Sequence, residues 1–204
     1  MLSIAVLASH AGTVLQAIID ACESGRLKAN VCLIVSNNSQ SGARQRAERH
    51  HIPFQHLSSQ THPDPEQLDQ ALCAALEERG AEVVFLAGYM KKLGDQTLRR
   101  FQCRILNTHP SLLPRFGGQG MYGARVHQAV IAAGDRQSGV TVHLVDAEYD
   151  TGPIVAQREV PVLAGDTPEL LIDRVERGEL RPFGLGDTEG GVKSRIGVGV
   201  RIHI

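Results

Sequence analysis

The chain has 204 residues, 42% of them hydrophobic, with 21 basic and 22 acidic side chains and a formal charge of -1. That length supports one sizeable core, and charges spread along the whole chain exclude the basic face on which general nucleic-acid or membrane-surface binding depends. No apolar run reaches the roughly 18 to 20 residues of a membrane span, and four widely separated cysteines form neither a Cys-x-x-Cys pair nor a disulfide framework, which predicts a reduced cytoplasmic protein.

The opening "MLSIAVLASHAG" has no basic leader and reads as a first strand over 3–9. Further apolar runs at 30–37, 52–58 and 81–88 predict strands buried on both faces. Between them "TVLQAIIDACESG", "SGARQRAERHH" and "PDPEQLDQALCAALEERG" have helical spacing. In the last, Leu68, Leu72 and Leu76 form a stripe, Pro65 suits a first turn and Gly80 a C-terminal stop. Alternating strands and helices imply right-handed crossovers and a parallel, Rossmann-like sheet.

Beyond residue 104 the pattern changes. A strand over 104–111 runs into a glycine-rich loop over 114–124, followed by the helix "ARVHQAVIAAG". The alternating segments 139–146 and 153–162 predict a hairpin joined by Gly152-Pro153 turn chemistry. "DTPELLIDRV" begins a helix with Thr167 as N-cap and Pro168 at its first position. The predicted fold is one α/β domain over 1–183 with helices on both faces of the sheet. The six glycines of 184–204 predict a strand-like or flexible tail.

Ligands of open parallel sheets bind outside the carboxyl ends of the strands. Four polar clusters fall at such ends: "SHAGT", "GYMKKLG", "NTHPS" and "DAEYDTGP". Asn107 and His109 stand two apart in an extended segment and so face one side, with Pro110 fixing the chain's exit. An amide can donate to a developing oxyanion, and an imidazole can exchange a proton at neutral pH, which suits acyl-type transfer. A polar strand end, with His109 capping a carbonyl, fits the same spacing. A loop carboxylate would orient the imidazole and raise its pKa, and Asp146, Glu148 and Asp150 all compete for that role.

The segments "NTHPSLLPRFGGQGMYG" and "HQAVIAAGDRQSGVTVHLVDAEYDTGPIVAQ" resemble the phosphoribosylglycinamide formyltransferase family, and the likeness runs from about residue 2 to about 176. The resemblance implies a formyltransferase fold, mostly parallel with an antiparallel C-terminal hairpin. It also implies transfer of a formyl group from 10-formyltetrahydrofolate to the amine of glycinamide ribonucleotide in purine synthesis, without a metal, by a monomer or homodimer. It assigns catalysis to Asn107, His109 and Asp150, with Asp150 keeping His109 charged. Folate would meet Met90, Lys91, Lys92 and Leu93, together with Asn107, Asp146, Ala147, Glu148, Tyr149 and Asp150. The ribonucleotide would meet Gly12, Thr13, Val14 and Glu179.

This sequence departs from the family at several of these places. Val14 replaces an asparagine, Gln119 replaces the lysine common in its subgroup, Pro65 replaces an arginine, and the regular helix after "DRV" is missing. The alternatives are a formyltransferase-fold enzyme acting on another amine, one hydrolysing formyltetrahydrofolate, or a catalytically silent folate-binding protein.

Overall fold

The computed structural model describes residues 1–179, so the tail expected over 184–204 lies outside the described residues. The chain divides into two compact units, Met1–Asn107 and a second that begins at Thr108. The strands form a mixed seven-stranded sheet in the order β3-β2-β1-β4-β5-β6-β7.

In the first unit, β1 (Leu2–Leu7), α1 (Thr13–Glu23), β2 (Ala29–Ser36), α2 (Gly42–Arg49), β3 (Phe54–His56), α3 (Pro65–Glu78), β4 (Val83–Leu86) and α4 (Asp95–Arg100) alternate in the order the apolar runs imply. β1 pairs in parallel with both β2 and β4, and β2 pairs in parallel with β3. Val6, Leu7, Ile34, Val35 and Val84 are completely buried, which is why these strands are apolar throughout instead of alternating. Burying each such side chain is worth about 1.5–3 kcal/mol. The strand expected over 52–58 contracts to Phe54–His56. Asp64 caps α3 by accepting the Glu66 amide, Pro65 fills its first turn, and Gly80 follows it with a left-handed φ of 63°.

The short strand β5 (Ile105–His109) pairs in parallel with β4 and carries the chain into the second unit. There α5 (Ala124–Ala132), β6 (Gln137–Leu144), β7 (Ile154–Pro161) and α6 (Pro168–Glu179) follow. β6 and β7 form the expected antiparallel hairpin. Val130, Val140, Val160, Leu171 and Val175 make the core of this unit, so the stripe of α6 packs against the hairpin and α5. Thr167 Oγ1 accepts the Leu170 amide at 3.4 Å and Pro168 opens α6, as its sequence predicts.

Candidate active site

His109 ends β5 and is 3% exposed. Its Nε2 donates to the Phe116 carbonyl at 2.8 Å, and its Nδ1 lies 3.4 Å from Asp150 Oδ2. Asp150 reaches it from the loop after β6 with a left-handed backbone, φ 58°. The same carboxylate accepts the Gly118 amide at 2.9 Å, and its other oxygen lies 3.4 Å from Nε2 of buried His143 on β6. The Nδ1 of His143 donates to the Leu144 carbonyl at 2.9 Å. One carboxylate thus stands between two imidazoles whose other nitrogens rest on main-chain carbonyls.

Two glycines allow this approach. A Cβ on Gly117 would come within 2.4 Å of Leu113 Cδ2 and 3.2 Å of Asp150 Cβ, and one on Gly152 would lie 1.8 Å from the Leu144 carbonyl oxygen. The loop after β5 is fixed by the buried Ser111 and Thr141 and by Gln157 on β7. The Leu113 amide donates to Thr141 Oγ1 at 3.0 Å, that hydroxyl donates to the Ser111 carbonyl at 2.6 Å, and Gln157 Nε2 donates to the Leu113 carbonyl at 2.9 Å.

Burial pulls the His109 pKa below 6.5, and His143 adds to that pull, while Asp150 and the Phe116 carbonyl push it up without restoring it. The carboxylate raises the pKa of His109 as expected, but desolvation of a nearly buried ring outweighs an ion pair 3.4 Å long, so the net shift is downward and does not favour the charged form. Both ring nitrogens nevertheless face acceptors, so the hydrogen bonds suit the imidazolium while the resting ring is neutral near pH 7. Burial also pushes the Asp150 pKa up, but the His143 hydrogen bond, the His109 charge and the Gly118 amide together hold it below the ordinary value. Asp150 is therefore ionised at neutral pH.

Among the three competing acids, the structure sets Asp150 beside the imidazole. Asp146 Oδ1 instead accepts the Glu148 amide at 3.2 Å and the Thr151 hydroxyl at 2.8 Å, which closes the turn. Ala147, Glu148 and Tyr149 are exposed on that loop. Asn107 is half-buried two residues before His109, and the alternation of β5 turns the two toward the same face.

The other candidates belong to the first unit. Gly12 is the N-cap of α1 in a left-handed conformation, and Thr13 and Val14 open that helix. Arg46 Nε on α2 donates to the Ala11 carbonyl of this loop at 2.9 Å. After β4, Met90, Lys91 and Lys92 are exposed and Leu93 is buried. Glu179 is the last residue of α6. Among the described residues, no group of three or more His, Cys, Asp and Glu is placed to hold a metal ion, and no helix is long and apolar enough to cross a membrane.

Two residues of the second unit are absent from the sequence-based candidates. His143 interrupts the apolar run of β6, and that interruption was its signal. His127 on α5 is 3% exposed, its Nδ1 has no hydrogen-bond partner, and burial and His109 lower its pKa to about 4. Helical spacing alone does not distinguish it from the apolar neighbours on its face.

A buried imidazole at the end of β5 and an ionised carboxylate from the loop after β6 form a pair with the chemistry to exchange a proton. Residues 2–183 match the formyl transferase family, and the chain belongs to that family. It is 38% identical over 185 residues to the phosphoribosylglycinamide formyltransferase of Haemophilus influenzae, an alignment covering 91% of this chain and 85% of that protein. It is 44% identical over 173 residues to the chloroplastic phosphoribosylglycinamide formyltransferase of Vigna unguiculata, covering 84% of this chain. The chain spans only 55% of that plant protein's length. The crystal structure of glycinamide ribonucleotide transformylase 1 from Symbiobacterium toebii superposes with a TM-score of 0.83 at 39% identity, covering 88% of this chain and 82% of that one.

Proposed function

We propose that this protein transfers the formyl group of 10-formyltetrahydrofolate to the primary amine of glycinamide ribonucleotide. The observation that carries the reading is the His109–Asp150 pair two residues beyond Asn107 on β5. In this scheme the amine attacks the formyl carbon, and the Asn107 amide stabilises the oxyanion of the tetrahedral intermediate. For this step the neutral ring of His109 carries its proton on Nδ1, toward Asp150, so that Nε2, turned from the Phe116 carbonyl, has a free lone pair and takes a proton from the attacking nitrogen. It returns the proton to N10 of the folate as the C–N10 bond breaks. Ionised Asp150 stabilises the imidazolium during that interval. The products are the N-formyl ribonucleotide and tetrahydrofolate.

Folate is assigned to Met90, Lys91, Lys92 and Leu93 and to the loop carrying Asp146, Ala147, Glu148, Tyr149 and Asp150. The ribonucleotide phosphate is assigned to the α1 N-terminus at Gly12, Thr13 and Val14, where unpaired helical amides favour anions, with Glu179 on the substrate side. The chain acts in the cytoplasm as a monomer or homodimer.

The test is turnover of the purified chain with both substrates. Tetrahydrofolate should form only when glycinamide ribonucleotide is present, and His109→Ala should lower kcat by about 10²–10⁴, the usual contribution of a proton-transferring group. Formate release without the ribonucleotide would instead identify a hydrolase.

A further inference from the structure

One buried hydroxyl in the first unit ties three loops together. Ser9 follows β1 and is 2% exposed. Its Oγ accepts the Met90 amide at 2.9 Å and donates to Asn37 Oδ1 at 2.5 Å. Its own amide donates to the Gly88 carbonyl at 3.3 Å. Gly88 and Met90 follow β4, and Asn37 follows β2. The Asn37 carbonyl also lies 3.4 Å from His56 Nε2 at the end of β3. The hydroxyl therefore spends its one proton and receives one in return, and a satisfied buried network of this kind selects a single arrangement of the segments it joins. The far side of the β1–α1 loop is held independently by α2, through Arg46 on the Ala11 carbonyl and the Ala43 amide on the His10 carbonyl at 3.3 Å. Ser9 is the tie on the side facing β4.

We infer that Ser9 is a positioning residue whose hydroxyl sets the spacing between the loop of Gly12, Thr13 and Val14 and the loop of Met90, Lys91, Lys92 and Leu93, and so tunes affinity for both substrates together. The inference rests on the function proposed above, which places the ribonucleotide phosphate at the first loop and the pterin at the second. Ser9 touches no reacting atom in that scheme. Its effect comes from geometry, because a loop held in its binding arrangement before the ligand arrives spends less free energy on ordering when the ligand binds.

The test compares Ser9→Ala, Asn37→Asp and Asn37→Ala in steady-state titrations of each substrate, with exchange of the Met90 amide followed by NMR. In Ser9→Ala the KM for 10-formyltetrahydrofolate and the KM for glycinamide ribonucleotide should each rise about tenfold while kcat stays within about threefold, and the Met90 amide should lose protection. Asn37→Asp retains an oxygen for the Ser9 proton and should keep both KM values. Asn37→Ala should raise both, and because it leaves Ser9 in place it decides the question if Ser9→Ala does not fold. A folded Ser9→Ala with unchanged KM values, or with only a lower melting temperature, overturns the inference. Absence of turnover by the wild-type chain overturns the proposed function instead, and Met90 exchange in Ser9→Ala then decides the tie alone.

Discussion

The balance at His109 is set by two opposed effects, burial lowering its pKa and Asp150 raising it. Asp150→Asn removes the second and leaves the first. In the proposed mechanism the acid limb of the kcat/KM profile reports the free enzyme's neutral imidazole; it should lie below 6.5 in the wild type and move to still lower pH in Asp150→Asn as the maximal rate falls. A limb that stays in place would show that the carboxylate does not act through His109. The spacing of Asn107 and His109 was legible in the sequence because a strand's alternation is a local rule. The choice of Asp150 over Asp146 and Glu148 was not legible from the residues themselves, since all three occupy one loop and only the family resemblance separated them. What separates them physically is the left-handed turn at Asp150 and the use of Asp146 to close the loop. The Asp146 closure is local, made to Glu148 and Thr151, but the approach of Asp150 to His109 joins residues 41 positions apart.

Among the elements, α4 is the one missing from the sequence reading. It is six residues long, too short to show periodicity, and its start is stabilised from elsewhere in the chain. Asp69 on α3 accepts the Gln96 amide at 2.7 Å and the Thr97 amide at 3.2 Å, supplying the cap that Gly94 cannot. Gly94 is itself needed there, because a Cβ would lie 2.3 Å from the Asp69 carboxyl carbon. Asp69→Ala should lower the free energy of unfolding by about 1–2 kcal/mol, the range for a lost helix cap. Urea denaturation measures it, and an unchanged midpoint would mean that α4 is held by packing alone. The overprediction of β3 has a related cause: the apolar residues of 52–58 satisfy a strand template, but in-register pairing with β2 covers Phe54, Gln55 and His56, with single hydrogen bonds to the Pro53 carbonyl and from the Leu57 amide at its ends.

For the molecule as a whole, parallel architecture was legible because strands buried on both faces read as unbroken apolar runs. The hairpin was legible because β7 is exposed along much of its length and alternates. Stability should depend on acidity through the buried imidazoles. His127 has a folded pKa of about 4 against an ordinary 6.5, so between those values the unfolded chain binds more protons than the folded one. Stability contributed by the neutral ring is present above about pH 6.5 and falls as the pH drops toward 4. His109 shifts in the same direction and steepens the fall. His127→Gln, which cannot titrate, should flatten the dependence in chemical denaturation across that window. An equally steep curve in the variant would place the lost stability elsewhere.

The carbonyls of Phe116 and Leu144, which anchor the two imidazoles beside Asp150, have a consequence for the energetics of proton movement. Each ring is oriented by a main-chain dipole that keeps its direction whatever the charge state. To move a proton in the proposed scheme, His109 needs to exchange only the Phe116 contact. In the transfer proposed above, the Asp150 carboxylate is already in place beside the ring, which would replace part of the rearrangement that accompanies proton transfer in water.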